Sequence, residues 1–250
     1  MLTGNADLGK LAEGAPTIAS FPSEPVQLED VECFQLTAEM RSSARESVLP
    51  AGLHPTIPAA LSVQAWNVGA SPWGAFAACF CRVSCRSGVR ARGFSTAAVV
   101  RGEAALGALW GAFGFPARPG EVNLRRHYDG VDLTVSDEGG ATLEIAALDP
   151  DPLGLDDVQY TGTMNLAHTP QGLRLVQVES RHSATRVERL SARILHFDGA
   201  AWGNERLEPY LVIAASVALE SIVLPPVRFV CKPDELAFTG TEPVGEPSGT

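Results

Sequence analysis

Few side chains in this sequence could carry chemistry, and none of them forms a recognised catalytic spacing. Among the nineteen Lys and Arg residues, only Lys10 and Lys232 are lysines. The histidines lack the HxH or HExxH spacing of a metal site, and no glycine-rich phosphate loop or GxSxG motif is present. We take His168 as the candidate general acid or base, because a histidine on an apolar strand can exchange a proton near neutral pH. The five histidines are His54, His127, His168, His182 and His196.

The cysteines do not suggest a disulfide framework or a metal site. They are odd in number and unevenly spaced, and no CxxC pair or paired histidine accompanies them. We therefore expect reduced, buried thiols, no metal, no other cofactor and a cytoplasmic protein. The five positions are Cys33, Cys79, Cys81, Cys85 and Cys231.

Composition excludes two classes of partner. The net charge of −10 disfavours nucleic-acid binding, which needs clustered basic residues. The longest apolar runs, such as Leu211–Leu219, are too short to span a bilayer, so we expect no membrane association. With 250 residues, 45% of them hydrophobic, the chain can bury one large core.

The hydrophobic pattern predicts a mostly β fold with a few helices, in which antiparallel strands form a closed or nearly closed barrel. The predicted helices are Thr37–Leu49, Gly102–Phe113 and Leu207–Leu219. The predicted strands are Leu61–Val68, Gly74–Cys85, Gly93–Val100, Gly130–Ser136, Ala141–Ala147, Tyr160–His168, Leu173–Arg181 and Arg189–Phe197.

The two ends of the chain differ in composition from the rest. Residues 1–20 and 239–250 are rich in Gly, Pro and polar residues without a clear period. We expect a flexible leader over residues 1–20, a single β-barrel domain over residues 21–238, and a flexible tail over residues 239–250.

Several short motifs, in their order along the chain, resemble those of the acetoacetate decarboxylase family. They are Phe21-Pro22, Leu49-Pro50-Ala51-Gly52-Leu53, Gly74-Ala75-Phe76, Gly114-Phe115-Pro116 and Met164-Asn165-Leu166. The resemblance covers roughly residues 21–232. It implies a cone-shaped antiparallel β-barrel with a central small-molecule pocket, and a homo-oligomer.

The resemblance also implies that the family's reactive residues have changed. The Schiff-base lysine falls on Ala117 and its neighbouring lysine on Arg118, while two pocket glutamates fall on Ala78 and Gln64. Alanine has no nucleophile, and arginine keeps its proton essentially always. We therefore expect a retained positive charge at Arg118 and no Schiff-base chemistry at this place.

Strand alternation then predicts the wall of the pocket. Phe76, Ala78, Phe80 and Arg82 share one face of their strand, as do Gln64 and Trp66 on the preceding one. We expect Arg118, Gln64 and His168 to be catalytic, with Gln64 and Arg118 orienting a carbonyl or carboxylate, and the ligand to be large and apolar. The expected substrate-binding residues are Trp66, Phe76, Ala78, Phe80, Phe115, Ala117 and Met164.

Three hypotheses about function follow. The first is a non-covalent enzyme of specialised biosynthesis that cyclises, isomerises or dehydrates an apolar carbonyl-containing intermediate. The second is a non-catalytic protein that binds a small molecule in the same barrel. The third is a decarboxylase or aldolase that uses a non-standard lysine such as Lys232.

Overall fold

The computed structural model describes residues 2–244, and within them long strands dominate. The helices are α1 (Leu8–Glu13), α2 (Ser42–Val48), α3 (Glu103–Phe113) and α4 (Ala237–Gly240), with a 3-10 turn at Leu155–Asp157. The strands are β1 (Val26–Met40), β2 (His54–Pro55), β3 (Ala60–Ala70), β4 (Phe76–Ser87), β5 (Arg90–Arg101), β6 (Ala117–Pro119), β7 (Glu121–Arg126), β8 (Gly130–Asp137), β9 (Gly140–Pro152), β10 (Thr163–Thr169), β11 (Gly172–Val178), β12 (Arg181–Phe197), β13 (Pro209–Leu224), β14 (Phe229–Cys231) and β15 (Thr241–Pro243).

The strands form one continuous sheet, which confirms the mostly β class. Its order is β15-β14-β11-β10-β5-β4-β3-β1-β13-β12-β9-β8-β7, with β2 paired to β4 and β6 to β5. Most neighbours are antiparallel, but β5 pairs with β10 and β6 in parallel. Of the two expected forms, a closed or a nearly closed barrel, the fully closed one is not formed, because no ladder joins β7 to β15 within residues 2–244.

The secondary structure predicted from the sequence is wrong for one long segment. Leu207–Leu219 was expected to be helical, but most of it belongs to β13, which is hydrogen-bonded to β1 on one side and to β12 on the other. Alanine and leucine favour a helix, whereas the Val and Ile residues of the same segment pack well on a pleated surface. Ladders on both edges of β13 provide hydrogen-bond partners for its backbone amides and carbonyls, so the segment forms a strand.

The predicted helix Thr37–Leu49 is only partly helical. Its first residues complete β1, and α2 occupies Ser42–Val48 before Pro50. The predicted helix Gly102–Phe113 is confirmed as α3. It ends at Gly114, whose left-handed conformation (φ 67°) favours glycine and whose added Cβ would lie 2.9 Å from the Ala167 side chain. This turn directs Phe115 back toward the sheet.

The segments expected to be flexible are attached to the sheet where the structure describes them. Ile18 is buried, its amide donates to the carbonyl of His168, and His168 in turn donates its amide to Pro16. Near the other end, β15 pairs with β14. Residues 245–250 of the expected tail lie outside the described residues.

Two apolar clusters cover the two faces of the central strands. Trp66 and Phe80 belong to one, which we call the aromatic cluster, and their strand neighbours Ala65 and Cys81 belong to the other. Burial on both faces explains why these strands read as nearly continuous apolar runs. In the described part of the chain, no helix has the length and hydropathy needed to cross a bilayer.

Candidate active site

A small cavity lies inside the sheet, at the polar end of the aromatic cluster. Its volume is about 10 Å³, close to what one water molecule requires. We call it the inner cavity. Its wall consists of Gln64, Trp66, Phe80, Arg82, Phe115, Thr163, Val178, Ser180 and Leu224.

Aromatic rings fill the space beside the inner cavity. The Trp66 and Phe80 ring centroids are 4.6 Å apart, and those of Phe80 and Phe115 are 4.9 Å apart. Such edge-on and tilted contacts are favourable and leave little free volume. The expected large apolar pocket is therefore not open in this structure, because the side chains expected to line it pack on one another.

Arg82 gives the inner cavity its charge. The residue is only 6% exposed, and its Nη1 donates to the carbonyl of Thr161 at 3.3 Å and to Thr163 Oγ1 at 3.1 Å. Its Nε has no partner, and no carboxylate among the described residues lies within ion-pair distance. Burial lowers the pKa of Arg82, but a guanidinium remains protonated at neutral pH. A buried positive charge without a counterion is costly and suits an anionic ligand.

Other polar groups of the cavity wall are mainly donors. The indole Nε1 of Trp66 is buried without a partner. Gln64 donates from Nε2 to Cys33 Sγ at 3.6 Å, a weak acceptor. Together with the Thr163 hydroxyl group, these donors favour a ligand that presents oxygen acceptors, such as a carboxylate or a ketone.

A hydrogen-bonded chain, Ser180–His182–Glu220, leads away from the cavity wall. Ser180 Oγ lies 2.8 Å from His182 Nε2, and His182 Nδ1 lies 2.9 Å from Glu220 Oε1. The side chains of His182 and Glu220 are 3% and 0% exposed. A carboxylate can only accept, so the proton of a neutral imidazole resides on Nδ1 and Nε2 is free to accept from the serine. This is the order of groups found in catalytic serine–histidine–carboxylate triads.

Tyr160 fixes the far end of this chain. Its hydroxyl donates to Glu220 Oε2 at 2.6 Å, and its ring stacks on His182 with centroids 3.5 Å apart and planes within 9°. Burial, the hydrogen bond to Glu220 and the charge of Glu220 hold the pKa of Tyr160 well above its usual range. The phenol therefore stays neutral and keeps both the carboxylate and the imidazole in place.

Four of the sequence-predicted site residues line the inner cavity, namely Gln64, Trp66, Phe80 and Phe115. Phe76, Ala78 and Ala117 belong to the same aromatic cluster but lie outside the cavity wall.

Three other predicted residues lie elsewhere. Met164 is buried in the second cluster, because its neighbour Thr163 takes the cavity face of β10. The imidazole of His168 is exposed and lies 3.1 Å from the carbonyl oxygen of Ala12. Arg118 is on the opposite face of β6 from Ala117, with its Nε 2.8 Å from Asp137 Oδ2 and its guanidinium 5.6 Å from the Trp202 ring.

Arg118→Ala is therefore expected to affect stability and not ligand binding. The hydrogen bond from Arg118 is the main cause of a lowered pKa of Asp137. A depressed carboxyl pKa adds stability above the unfolded value of about 3.9, and this stability is lost as the pH falls through the folded pKa. We expect the variant to unfold more easily by about 1 kcal/mol at pH 7, with a smaller difference near pH 3, in urea titrations. A constant difference from pH 3 to 7 would contradict this role for the pair.

The sequence also missed five residues of the site. Arg82 shares a strand face with Phe80, so alternation alone could have assigned it to the wall. Ser180 and His182 are two positions apart on an extended segment, a weak signal for side chains that meet. Glu220 and Tyr160 come from distant segments, and no local pattern marks them.

The chain is similar in structure to several enzymes that share one fold. The chain superposes on the acetoacetate decarboxylase from Legionella pneumophila with a TM-score of 0.73, over 93% of this chain and 92% of that one, at 13% identity. The fold is that of acetoacetate decarboxylase. An acetoacetate decarboxylase-like enzyme from Sphingomonas wittichii RW1 matches at 15% identity and a TM-score of 0.66, over 83% of this chain and 93% of that one.

A third similar structure is that of a biosynthetic enzyme. The enduracididine biosynthesis enzyme MppR, complexed with the condensation product of pyruvate and imidazole 4-carboxaldehyde, has a TM-score of 0.65 and 19% identity, over 82% of this chain and 88% of that one. No protein-family model and no curated protein matches the chain. At these identities the likeness establishes the fold alone.

Proposed function

We propose that this protein is an enzyme of specialised biosynthesis that cyclises, isomerises or dehydrates a carbonyl compound bearing a carboxylate. The chemistry is proton transfer without a Schiff base. The observation that carries the proposal is the unpaired Arg82 guanidinium on a cavity wall that also holds Ser180 of the Ser180–His182–Glu220 chain.

Each group has a definite task in this proposal. Arg82 binds the carboxylate, and Gln64 or the Trp66 indole donates to the neighbouring carbonyl oxygen, which stabilises the enolate that forms when a proton leaves. The Ser180 hydroxyl passes that proton to His182 Nε2. Glu220 stabilises the resulting imidazolium, as the carboxylate does in a triad.

The environment of Lys232 supports a mechanism without a covalent amine. Lys232 Nζ lies 2.7 Å from Glu235 Oε1 in a partly exposed ion pair, which raises the pKa of the lysine. A nucleophilic lysine needs the opposite shift. Lys10 is on α1, and neither lysine contributes to the wall of the inner cavity.

The closed cavity limits how the substrate binds. A volume of about 10 Å³ cannot hold a keto acid, so part of the wall moves when the ligand enters. The apolar ring system beside the cavity can then accommodate the apolar part of the substrate. The resemblance of the fold to a natural-product biosynthesis enzyme agrees with a substrate of this kind.

Proton exchange in D₂O tests the proposal directly. We expect the protein to accelerate deuterium incorporation next to the carbonyl of pyruvate or of 2-oxo-4-phenylbutanoate, observed by NMR. Borohydride reduction during the reaction should leave no adduct on Lys10 or Lys232 in an intact-mass measurement.

The outcomes separate the competing functions. Binding of either keto acid by calorimetry without exchange would favour a non-catalytic binding protein. A reduced adduct on Lys232 would instead support a lysine-dependent decarboxylase or aldolase. Absence of both binding and exchange would contradict the assignment of Arg82 as a carboxylate site.

A further inference from the structure

A second concave site, lined by arginines, lies on the other side of Ser180. It has a volume of about 330 Å³. We call it the arginine pocket. Its wall consists of Arg90, Arg92, Gln177, Glu179, Ser180, Arg181, Pro225, Pro226, Arg228 and Phe229.

The charge of the arginine pocket opposes that of the protein. Four arginines and one glutamate line it, whereas the whole chain carries −10. Glu179 is already paired with Arg92 at 2.5 Å. Arg90, Arg181 and Arg228 have no carboxylate within ion-pair distance among residues 2–244. A concave surface with one sign of charge concentrates ions of the other sign.

Arg92 shows that the pocket is more than a group of mobile surface side chains. It is 7% exposed, so its guanidinium is held by the structure around it. Its Nη1 donates to the carbonyl of Ala91 and its Nη2 to Glu179, while the buried Nε has no partner. An unsatisfied buried donor beside an ion pair is a position where an additional acceptor would be stabilised.

Ser180 connects the two sites. It contributes to the wall of the arginine pocket and to that of the inner cavity, and its hydroxyl contacts His182. The pocket is therefore the side from which a ligand can reach Ser180 while still in contact with solvent. Pro225 and Pro226 give this side a backbone of restricted conformation.

We propose that the arginine pocket binds a phosphate group of the substrate while the carbonyl end extends past Ser180 toward Arg82. This inference rests on the proposed function, and it adds that the substrate is an organic phosphate. A phosphate monoester carries close to two negative charges and three strong acceptor oxygens, which suits several guanidinium groups at once. A single carboxylate would leave most of these arginines unpaired.

Calorimetry with inorganic phosphate and pyrophosphate at low ionic strength tests this site without any turnover. We expect both anions to bind, and Arg181→Ala/Arg228→Ala to weaken binding about tenfold or more, because each loss removes charge-assisted hydrogen bonds. The matched control is Arg193→Ala/Arg206→Ala, which removes two exposed arginines outside the pocket. The control should bind both anions as the unmodified protein does. Added salt should weaken anion binding by the control and by the unmodified protein.

Two results would overturn the inference. One is no measurable binding of either anion, and the other is equal weakening in the pocket variant and the control, which would indicate nonspecific attraction. The proposed function is judged separately, by keto-acid binding that depends on Arg82. If phosphate binds and keto acids do not, the proposed function fails and the anion site remains. If keto acids bind and phosphate does not, only the phosphate site fails.

Discussion

Replacing Arg82 with methionine is expected to stabilise the protein while abolishing its binding of keto acids. The guanidinium is buried, lacks a carboxylate partner and leaves Nε unsatisfied. By analogy with the replacement of buried ion pairs by apolar residues, we expect the free energy of unfolding to rise by about 1–3 kcal/mol. For a chain of this length, each kcal/mol raises Tm by about 2–4 °C. Calorimetry with pyruvate and a thermal melt on the same sample measure both effects.

Arg45→Met is the matched control for this prediction. Arg45 is also buried, but its Nη2 lies 3.0 Å from Glu46 Oε1 and its Nη1 donates to the carbonyl of Thr56. Removing it leaves Glu46 unpaired, so we expect a loss of about 1–3 kcal/mol and unchanged pyruvate binding. If Arg82→Met destabilised the protein as Arg45→Met does, Arg82 would be a structural residue and its ligand role would fail.

The second large effect is expected at His182. We expect His182→Ala to slow deuterium exchange of pyruvate by about 10²–10⁴-fold, the usual contribution of a general acid–base group. Glu220→Gln should have a similar effect, because an amide can donate to Nδ1 and reverse the tautomer of the imidazole. Pyruvate binding should persist in both variants, since Arg82 is intact.

Glu188→Gln controls for the removal of a buried carboxylate. Glu188 is as buried as the site residues but pairs with Arg126 and Arg186, away from the cavity. The Glu188→Gln variant should have a lower free energy of unfolding and an unchanged rate of deuterium exchange of pyruvate.

Ser180→Ala then distinguishes a proton relay from a covalent nucleophile. If Ser180 is a proton relay, Ser180→Ala should slow deuterium exchange by about tenfold, since water can replace the hydroxyl. A loss as large as that of His182→Ala would indicate that the serine forms a covalent bond.

Much of the sheet could be predicted from the sequence, and the failures have a physical cause. Strands such as β3, β4 and β5 alternate or are uniformly apolar, and their turns are marked by glycine and proline. The helix prediction for segment β13 is wrong because alanine and leucine favour a helix locally, whereas one of its two partners, β1, is remote in sequence. Backbone contacts with His168 of β10 hold residues 16–18, and composition carries no trace of such contacts.

The part of the cavity wall that lies on β3 and β4 could be predicted from strand alternation. Alternation along β3 and β4 correctly brought Gln64, Trp66 and Phe80 together. The Ser180–His182–Glu220 chain joins a loop residue to strands β12 and β13, so its members meet only once the sheet has formed. A single sequence offers no signal for such pairs, because each residue taken alone resembles an ordinary polar strand residue.

The pairing of β1 with β13 has a consequence for how the protein is made. Val26 lies opposite Leu224, so the central ladder joins the first long strand to nearly the last. Such remote pairing closes a long loop and slows folding. During synthesis, β1 can pair with β3 early, but its other edge stays unpaired until β13 has been made. The Ser180–His182–Glu220 chain, which needs Glu220 on β13, is then completed in the same late step as this central ladder.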